Sequence, residues 1–268
     1  VYQSDYFWNR FFNFVIDPTN PNRGWIVRTD ANANPERTTL VRIDTTDSWN
    51  TWTVTTLPQP NQHYWVNKFV ATDSPQGRKI AAATTRATLL SNDGGETWGR
   101  APEEWVYAPT EASTIAVSPA DPSWLYAYGS RVGYQLPGYA TDFNYFSETR
   151  FIYRSVCTNV VNDIAPDLSV PNSIWMATDA GLYRHDALQF SKSQGAAELD
   201  ATGQTWTRVA SKSNLGLTDE YLWTAVLDPQ NPSRVLVGTR SGGIFASADN
   251  GGTWSARLSG VTDVKDIE

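Results

Sequence analysis

Apolar residues along this chain come in short runs rather than in helical stripes. Five times a short run ends in Asp-Pro or a relative of it. The copies are Phe14-Val15-Ile16-Asp17-Pro18, Phe69-Val70-Ala71 before Asp73 and Pro75, Ile115-Ala116-Val117-Ser118-Pro119, Ile164-Ala165-Pro166-Asp167, and Ala225-Val226-Leu227-Asp228-Pro229. Proline suits a strand exit because it brings no N–H to the ladder. A second run follows each landmark: Trp25-Ile26-Val27, Ile80-Ala81-Ala82, Trp124-Leu125-Tyr126, Ile174-Trp175-Met176 and Val235-Leu236-Val237. A third run leads into a polar turn and a fourth leaves it. No stretch sustains helical periodicity. The pattern predicts four short strands per repeat, with a period of roughly 50 residues.

The polar turn is the sharpest motif. Ser91-Asn92-Asp93-Gly94-Gly95-Glu96-Thr97-Trp98 recurs as Ser247-Ala248-Asp249-Asn250-Gly251-Gly252-Thr253-Trp254. Both copies read S-x-D-x-G-x-T-W. A Ser and an Asp two apart can turn their oxygens onto nearby backbone N–H groups. The Gly allows a positive φ, and the Trp is expected to plug the apolar side of the hairpin. Thr45 to Trp52 keeps every landmark except the Gly, and Gly203-Gln204-Thr205-Trp206 keeps the second half. The motif tryptophans Trp52, Trp98, Trp206 and Trp254 are 46, 108 and 48 residues apart. The middle gap is two periods, so one copy is lost near residue 155. There Phe151-Ile152-Tyr153 reads as the strand entering a turn whose Asp has become Cys157.

The motif resembles the Asp-box, or BNR repeat, of sialidases, xyloglucanases and sortilin-type receptors. The resemblance implies an all-β fold, a β-propeller of four-stranded antiparallel blades. Five repeats are visible, at approximately 6–55, 56–108, 109–158, 159–215 and 216–268, and are expected to form a single propeller domain over 1–268. Val1 to Asp5 resembles the end of a third strand, and Val261 to Ile267 the start of a first strand. The chain is therefore read as an excerpt of a larger propeller. A self-contained five-bladed ring and a six-bladed ring closed by the termini are the alternatives.

Composition removes several classes. A net charge of −7 with no basic run argues against a nucleic-acid partner. One Cys excludes an internal disulfide framework. Two His and one Cys make a zinc site an unfavoured reading, so no metal and no cofactor is expected. No apolar span is long enough for a transmembrane segment. The absence of an Asn-x-Ser/Thr acceptor leans towards a prokaryotic source. By analogy with box-bearing propellers the chain is placed outside the cytoplasm, secreted, periplasmic or at a cell surface.

In a propeller the links from strand two to three, and from strand four to the next blade, share one face; the boxes lie on the other. A site is therefore expected away from Ser91, Asp93, Gly95, Thr97, Trp98, Ser247, Asp249, Gly251, Thr253 and Trp254, which are structural. The segment Gly129 to Arg150 is the longest link of the first kind and carries Arg131, Tyr134, Tyr139, Asp142, Phe143, Tyr145, Phe146 and Glu148. Long structured loops tend to be functional. Aromatics beside carboxylates suit sugars, which offer an apolar face and a rim of hydroxyls. Trp65, Trp105 and Trp223 add aromatic surface from the other links, whereas Trp25, Trp124 and Trp175 recur in second strands and are expected in the core.

Two functions compete. The first is a non-catalytic module that binds a glycan or a protein, with a larger assembly as one setting for it. The second is a glycoside hydrolase. Thr178-Asp179-Ala180-Gly181-Leu182-Tyr183-Arg184 resembles the T-D-x-G-G-x-Y-R segment of xyloglucanases, which implies a catalytic Asp179 with Asp30 at the equivalent point of the first repeat. A sialidase is the weaker form of this reading, because its R-I-P segment is approached only by Arg42-Ile43-Asp44. A close, buried carboxylate pair would favour the hydrolase; an aromatic face would favour binding.

Overall fold

The computed structural model describes residues 12–17, 19–30, 37–58, 66–74, 77–84, 88–100, 111–120, 124–130, 148–153, 160–170, 173–186, 190–193, 196–199 and 206–267. Two compact units emerge. One holds residues 1–113 and 131–147, the other 114–130 and 148–268. The protein is all-β, and its repeating element is the four-stranded antiparallel blade of a β-propeller.

In the first unit, β1 (Phe12–Asp17), β2 (Asn20–Asp30), β3 (Arg37–Asp44) and β4 (Thr53–Thr56) form one sheet in sequence order. The next sheet repeats the order with β5 (Val66–Ser74), β6 (Gly77–Thr84), β7 (Thr88–Ser91) and β8 (Gly99–Arg100). Strand alternation puts Trp25, Val27 and Leu40 on one face of the first sheet. They pack with Val66, Phe69, Ile80, Ala82 and Leu89 of the second. Each Val, Leu, Ile or Phe among them, taken wholly out of water, contributes about 1.5–3 kcal/mol.

The second unit opens with β9 (Glu111–Val117), β10 (Trp124–Ser130) and β11 (Glu148–Tyr153), of which β9 straddles the boundary of the units. The fourth repeat supplies β12 (Val161–Pro166), β13 (Ile174–Thr178) and β14 (Gly181–His185). A hairpin of β15 (Phe190–Ser193) and β16 (Ala196–Leu199) then intervenes before β17 (Thr207–Ala210) closes the fourth sheet. After a short helix α1 (Lys212–Leu215), the last sheet runs β18 (Leu222–Asp228), β19 (Asn231–Thr239), β20 (Ile244–Ser247) and β21 (Ser255–Leu258).

Four repeats therefore give the expected meander, and the third departs from it. Its sheet has five strands in the order β15-β16-β11-β10-β9, and β11 runs parallel to both β10 and β16. A parallel neighbour needs a connection of about a dozen residues or more. The 17 residues 131–147 between β10 and β11 satisfy that. β10 and β11, expected as antiparallel second and third strands, are therefore parallel neighbours.

The fourth sheet is covered on both faces, and β13 is buried at all five positions. Ile174 and Met176 face Ala116, Tyr126 and Tyr128 of the third sheet. Trp175 and Ala177 face Ala225, Leu227, Val235 and Val237 of the last. Trp25 and Trp175 are core, as expected. Trp124 opens β10, and its side chain lies outside the described residues.

The Asp of the Asp-Pro landmark has its own role. Asp17 Oδ1 accepts the N–H groups of Thr19 and Asn20 at 2.9 Å each, Asp167 Oδ1 those of Ser169 and Val170, and Asp228 Oδ1 that of Gln230. Each carboxylate closes the hairpin between strands one and two.

The three polar turns among the described residues share one bonding plan. Ser91 Oγ accepts the Gly95 N–H at 2.8 Å, while Asp93 accepts the Thr97 N–H at 2.9 Å and its hydroxyl at 2.6 Å. Ser247, Gly251, Asp249 and Thr253 repeat this at 2.8, 2.8 and 2.7 Å. Thr45, Trp49, Asp47 and Thr51 do so at 3.1, 2.8 and 2.6 Å. Position five has φ of 95° at Gly95, 85° at Gly251 and 70° at Trp49. The tryptophans that close the turns differ. Trp98 packs on the core between the first two sheets and Trp254 on that between the last two. Trp52 is 45% exposed.

Candidate functional site

Second strands end in a buried threonine, at Thr84, Thr178 and Thr239. Thr178 Oγ1 donates to Gly181 O at 2.8 Å and accepts the Ala180 N–H at 3.1 Å. Thr239 Oγ1 donates to Gly243 O at 3.0 Å and accepts the Gly242 N–H at 2.9 Å. Gly181 and Gly243 have φ of 113° and 89°, and a Cβ on either would strike the neighbouring strand's backbone. The motif is thus a tight turn that turns the residue after the threonine outwards. That residue is Asp179 in the fourth repeat and Arg240 in the fifth.

These two side chains share a rim with the entry to β18. Asp179 is half-buried, and its Oδ1 accepts the Val160 N–H at 3.0 Å while its own N–H donates to Val160 O at 3.1 Å. Tyr221 donates its phenol to Asn162 Oδ1 at 3.1 Å, and Asn162 Nδ2 donates to Leu222 O at 2.7 Å. Burial pushes the Tyr221 phenol up, the Asn162 bond opposes this, and the Asp179 charge adds to the rise. The Tyr221 and Trp223 rings touch at 4.6 Å with a 58° tilt. The Arg240 guanidinium lies 4.9 Å over Tyr221, and the Lys265 ammonium 5.1 Å over Trp223. Trp223 Nε1 donates to Asp263 Oδ1 at 3.2 Å.

Asp219 completes the rim. Burial pushes its carboxyl up, but the Tyr221 N–H and the Arg240 charge outweigh that and hold it below the usual range. Its contact with Arg240 Nε is long, at 3.4 Å. Neighbouring Glu220 pairs with Arg208 at 2.7 Å. Among the described residues, every carboxylate with a displaced pKa is displaced downwards: Asp17, Asp44, Asp47, Asp93, Asp219 and Asp249.

Of the residues singled out in the sequence, the structure brings Asp179 and Trp223 to this rim. Asp30 ends β2 opposite Arg37, in the other compact unit. Glu148 opens β11 opposite Trp124. Arg131, Tyr134, Tyr139, Asp142, Tyr145, Trp65 and Trp105 lie outside the described residues, as do Phe143 and Phe146. Tyr221 comes to the rim on the same strand-four-to-one link as Trp223; Asn162 and Lys265 carry no mark in the sequence. The signal for the turn was present, since T-D-x-G and T-R-S-G-G are the same turn with a different outward residue.

Among the described residues no three His, Cys, Asp or Glu side chains cluster as a metal site requires. No described helix is long and apolar enough to cross a membrane.

No protein-family model and no curated protein matches the chain. Solved structures similar to it include YCF48 from Cyanidioschyzon merolae, at TM-score 0.46 and 13% identity over 92% of this chain and 84% of that one. The GH74 enzyme of Niastella koreensis matches at 0.43 and 14%, over 93% of this chain and 38% of that one. The β-propeller domain of Myceliophteria thermophila Cps50 (Swd1) matches at 0.48 and 11%, over 86% and 67%.

Proposed function

We propose that this chain is a non-catalytic β-propeller module of the Asp-box type, a single domain acting outside the cytoplasm and binding a glycan or protein partner. The observation that carries this reading is the use made of Asp179. Its carboxylate and its own N–H both hold Val160, closing the turn against the start of β12. The same turn carries Arg240 in the next repeat, so the turn does not exist for the sake of the acid. Glycoside hydrolysis needs a carboxyl group with a raised pKa to protonate the leaving oxygen. Asp219, beside Arg240, is held down instead. Around these groups stand Tyr221 and Trp223, a surface of rings and hydrogen-bonding groups suited to recognition.

The test is turnover by the purified chain of a panel of β-glucans and sialosides, read as released reducing sugar or sialic acid. No turnover is expected. Hydrolysis that disappears in Asp179→Asn with the fold intact would replace this reading by the hydrolase. That second reading keeps one point in its favour: the other carboxylate oxygen of Asp179 has no partner among the described residues, and the charge of Asp179 is felt at Tyr221.

A further inference from the structure

We propose that the Arg240–Tyr221–Trp223–Lys265 array is the contact site for an acidic polypeptide segment. The inference rests on the binding-module reading and names the partner's chemistry. Most described arginines are already committed to acids at short range, among them Arg23 and Arg42 with Asp44, and Arg208 with Glu220. Arg78 and Arg184 also lie over rings, those of Trp25 and Trp175, but each is paired with an acid, Asp17 and Asp186. Arg240 and Lys265 lie over rings without such a short pair, and their two rings lean on each other. Arg240 has only the 3.4 Å contact of its Nε with Asp219, which leaves the terminal guanidinium nitrogens without a partner among the described residues. Lys265 has no acid within ion-pair reach there.

A ring face orients a cation without neutralising it. A guanidinium fixed over a tyrosine presents its outer N–H edge ready for a carboxylate, the geometry in which Arg binds most strongly. Two such cations on adjoining rings match acidic side chains spaced along one extended segment. Asp219 touches Arg240 and Asp263 accepts the Trp223 N–H, so the site has acceptors as well as cations. A polypeptide fits that mixture, because its backbone N–H groups can meet acceptors while its carboxylates meet cations. An acidic polysaccharide fits less well. Sugar rings stack on open aromatic faces, and here each ring already has a cation on one face and its neighbour leaning on it.

The experiment uses the intact chain and a fluorescein-labelled Glu-rich decapeptide, followed by fluorescence anisotropy at low and physiological salt. Polygalacturonate serves as the polysaccharide probe. Arg240→Gln and Lys265→Gln are each expected to weaken peptide binding by about tenfold, with the double variant weaker still and all binding falling as salt screens it. Arg257→Gln, which removes the same charge from exposed β21, is expected to leave binding unchanged. All three side chains are exposed, so unchanged melting temperatures confirm the fold. Peptide binding that is absent, or equally weakened by Arg257→Gln, overturns the proposal. Binding of polygalacturonate alone also overturns it while leaving the binding-module reading standing. Sugar turnover by the same preparation would remove the module reading itself.

Discussion

A serine or threonine hydroxyl and an aspartate carboxylate build each described polar turn, and neither side chain is spare. Asp93 takes two bonds from Thr97 and one from the Ser91 hydroxyl, which itself holds the Gly95 N–H. Asp93→Ala should cost about 1 kcal/mol, by analogy with the loss of a helix cap, read as a shifted midpoint in urea. Asp249→Ala should lower the melting temperature in the same way. Gly95 is constrained on two counts, by φ of 95° and by space: a Cβ there would stand 2.6 Å from Leu57 Cδ1. Gly95→Ala should therefore lose roughly 1–3 kcal/mol, the cost of a side chain held at positive φ; an unchanged midpoint would mean that Leu57 yields freely. Trp49 shows that the conformation can be held without Gly. Its turn is fixed by Thr45, Asp47 and Thr51, and its indole N–H donates to Pro21 O at 2.9 Å beside the edge of Phe14.

At the scale of elements, the repeat was legible because each strand carries its own punctuation. The buried pair of second-strand tryptophans and the turn bonds follow directly from spacing and from Ser, Asp and Gly chemistry. The third sheet was not legible. Parallel pairing of β10 with β11 leaves no local mark, and the hairpin at Phe190–Leu199 pairs with a strand some 40 residues earlier. The candidate site was legible only in part. Asp179 stood out as an acid in a motif, but its bond to Val160 depends on which strand entry lies beside the turn. The joint between the last two sheets was equally hidden. Asp163 is 5% exposed, and its Oδ2 accepts the Thr224 hydroxyl at 2.8 Å and the Ala225 N–H at 3.2 Å. Removing an acceptor from a buried donor costs about 1–3 kcal/mol. Asp163→Ala should show at least that loss in chemical denaturation, whereas Thr224→Val, which spares the Ala225 bond, should lose less.

For the molecule as a whole, the displaced carboxylates act in one direction. Those of Asp17, Asp44 and Asp93 are pushed up by burial but pulled further down by their partners, Arg78, Arg23 and Thr97. Asp249 is held to about 2, against an ordinary 3.8, first by the Thr253 N–H. A carboxylate whose folded pKa is depressed releases its proton more readily when folded. Its contribution is complete above the unfolded value and is lost as pH falls through the folded one. For Asp249 the window therefore runs from just above pH 3.8 down to about 2, and the others lose their share as pH falls below 3.8. His185 adds an earlier slope of the same sign. Burial lowers its imidazole below 6.5, with nearby Asp186 opposing, so the unfolded chain takes the proton first and gains on the folded one as pH drops below neutral. Melting temperature measured against pH should thus decline gently from neutral and steeply below pH 4. Asp249→Asn should start lower at neutral pH and fall less across the steep window, since it no longer has that proton to take up. A variant curve parallel to the wild type throughout would show that Asp249 titrates alike in both states, and the account of the turn as a charge-holding device would fail.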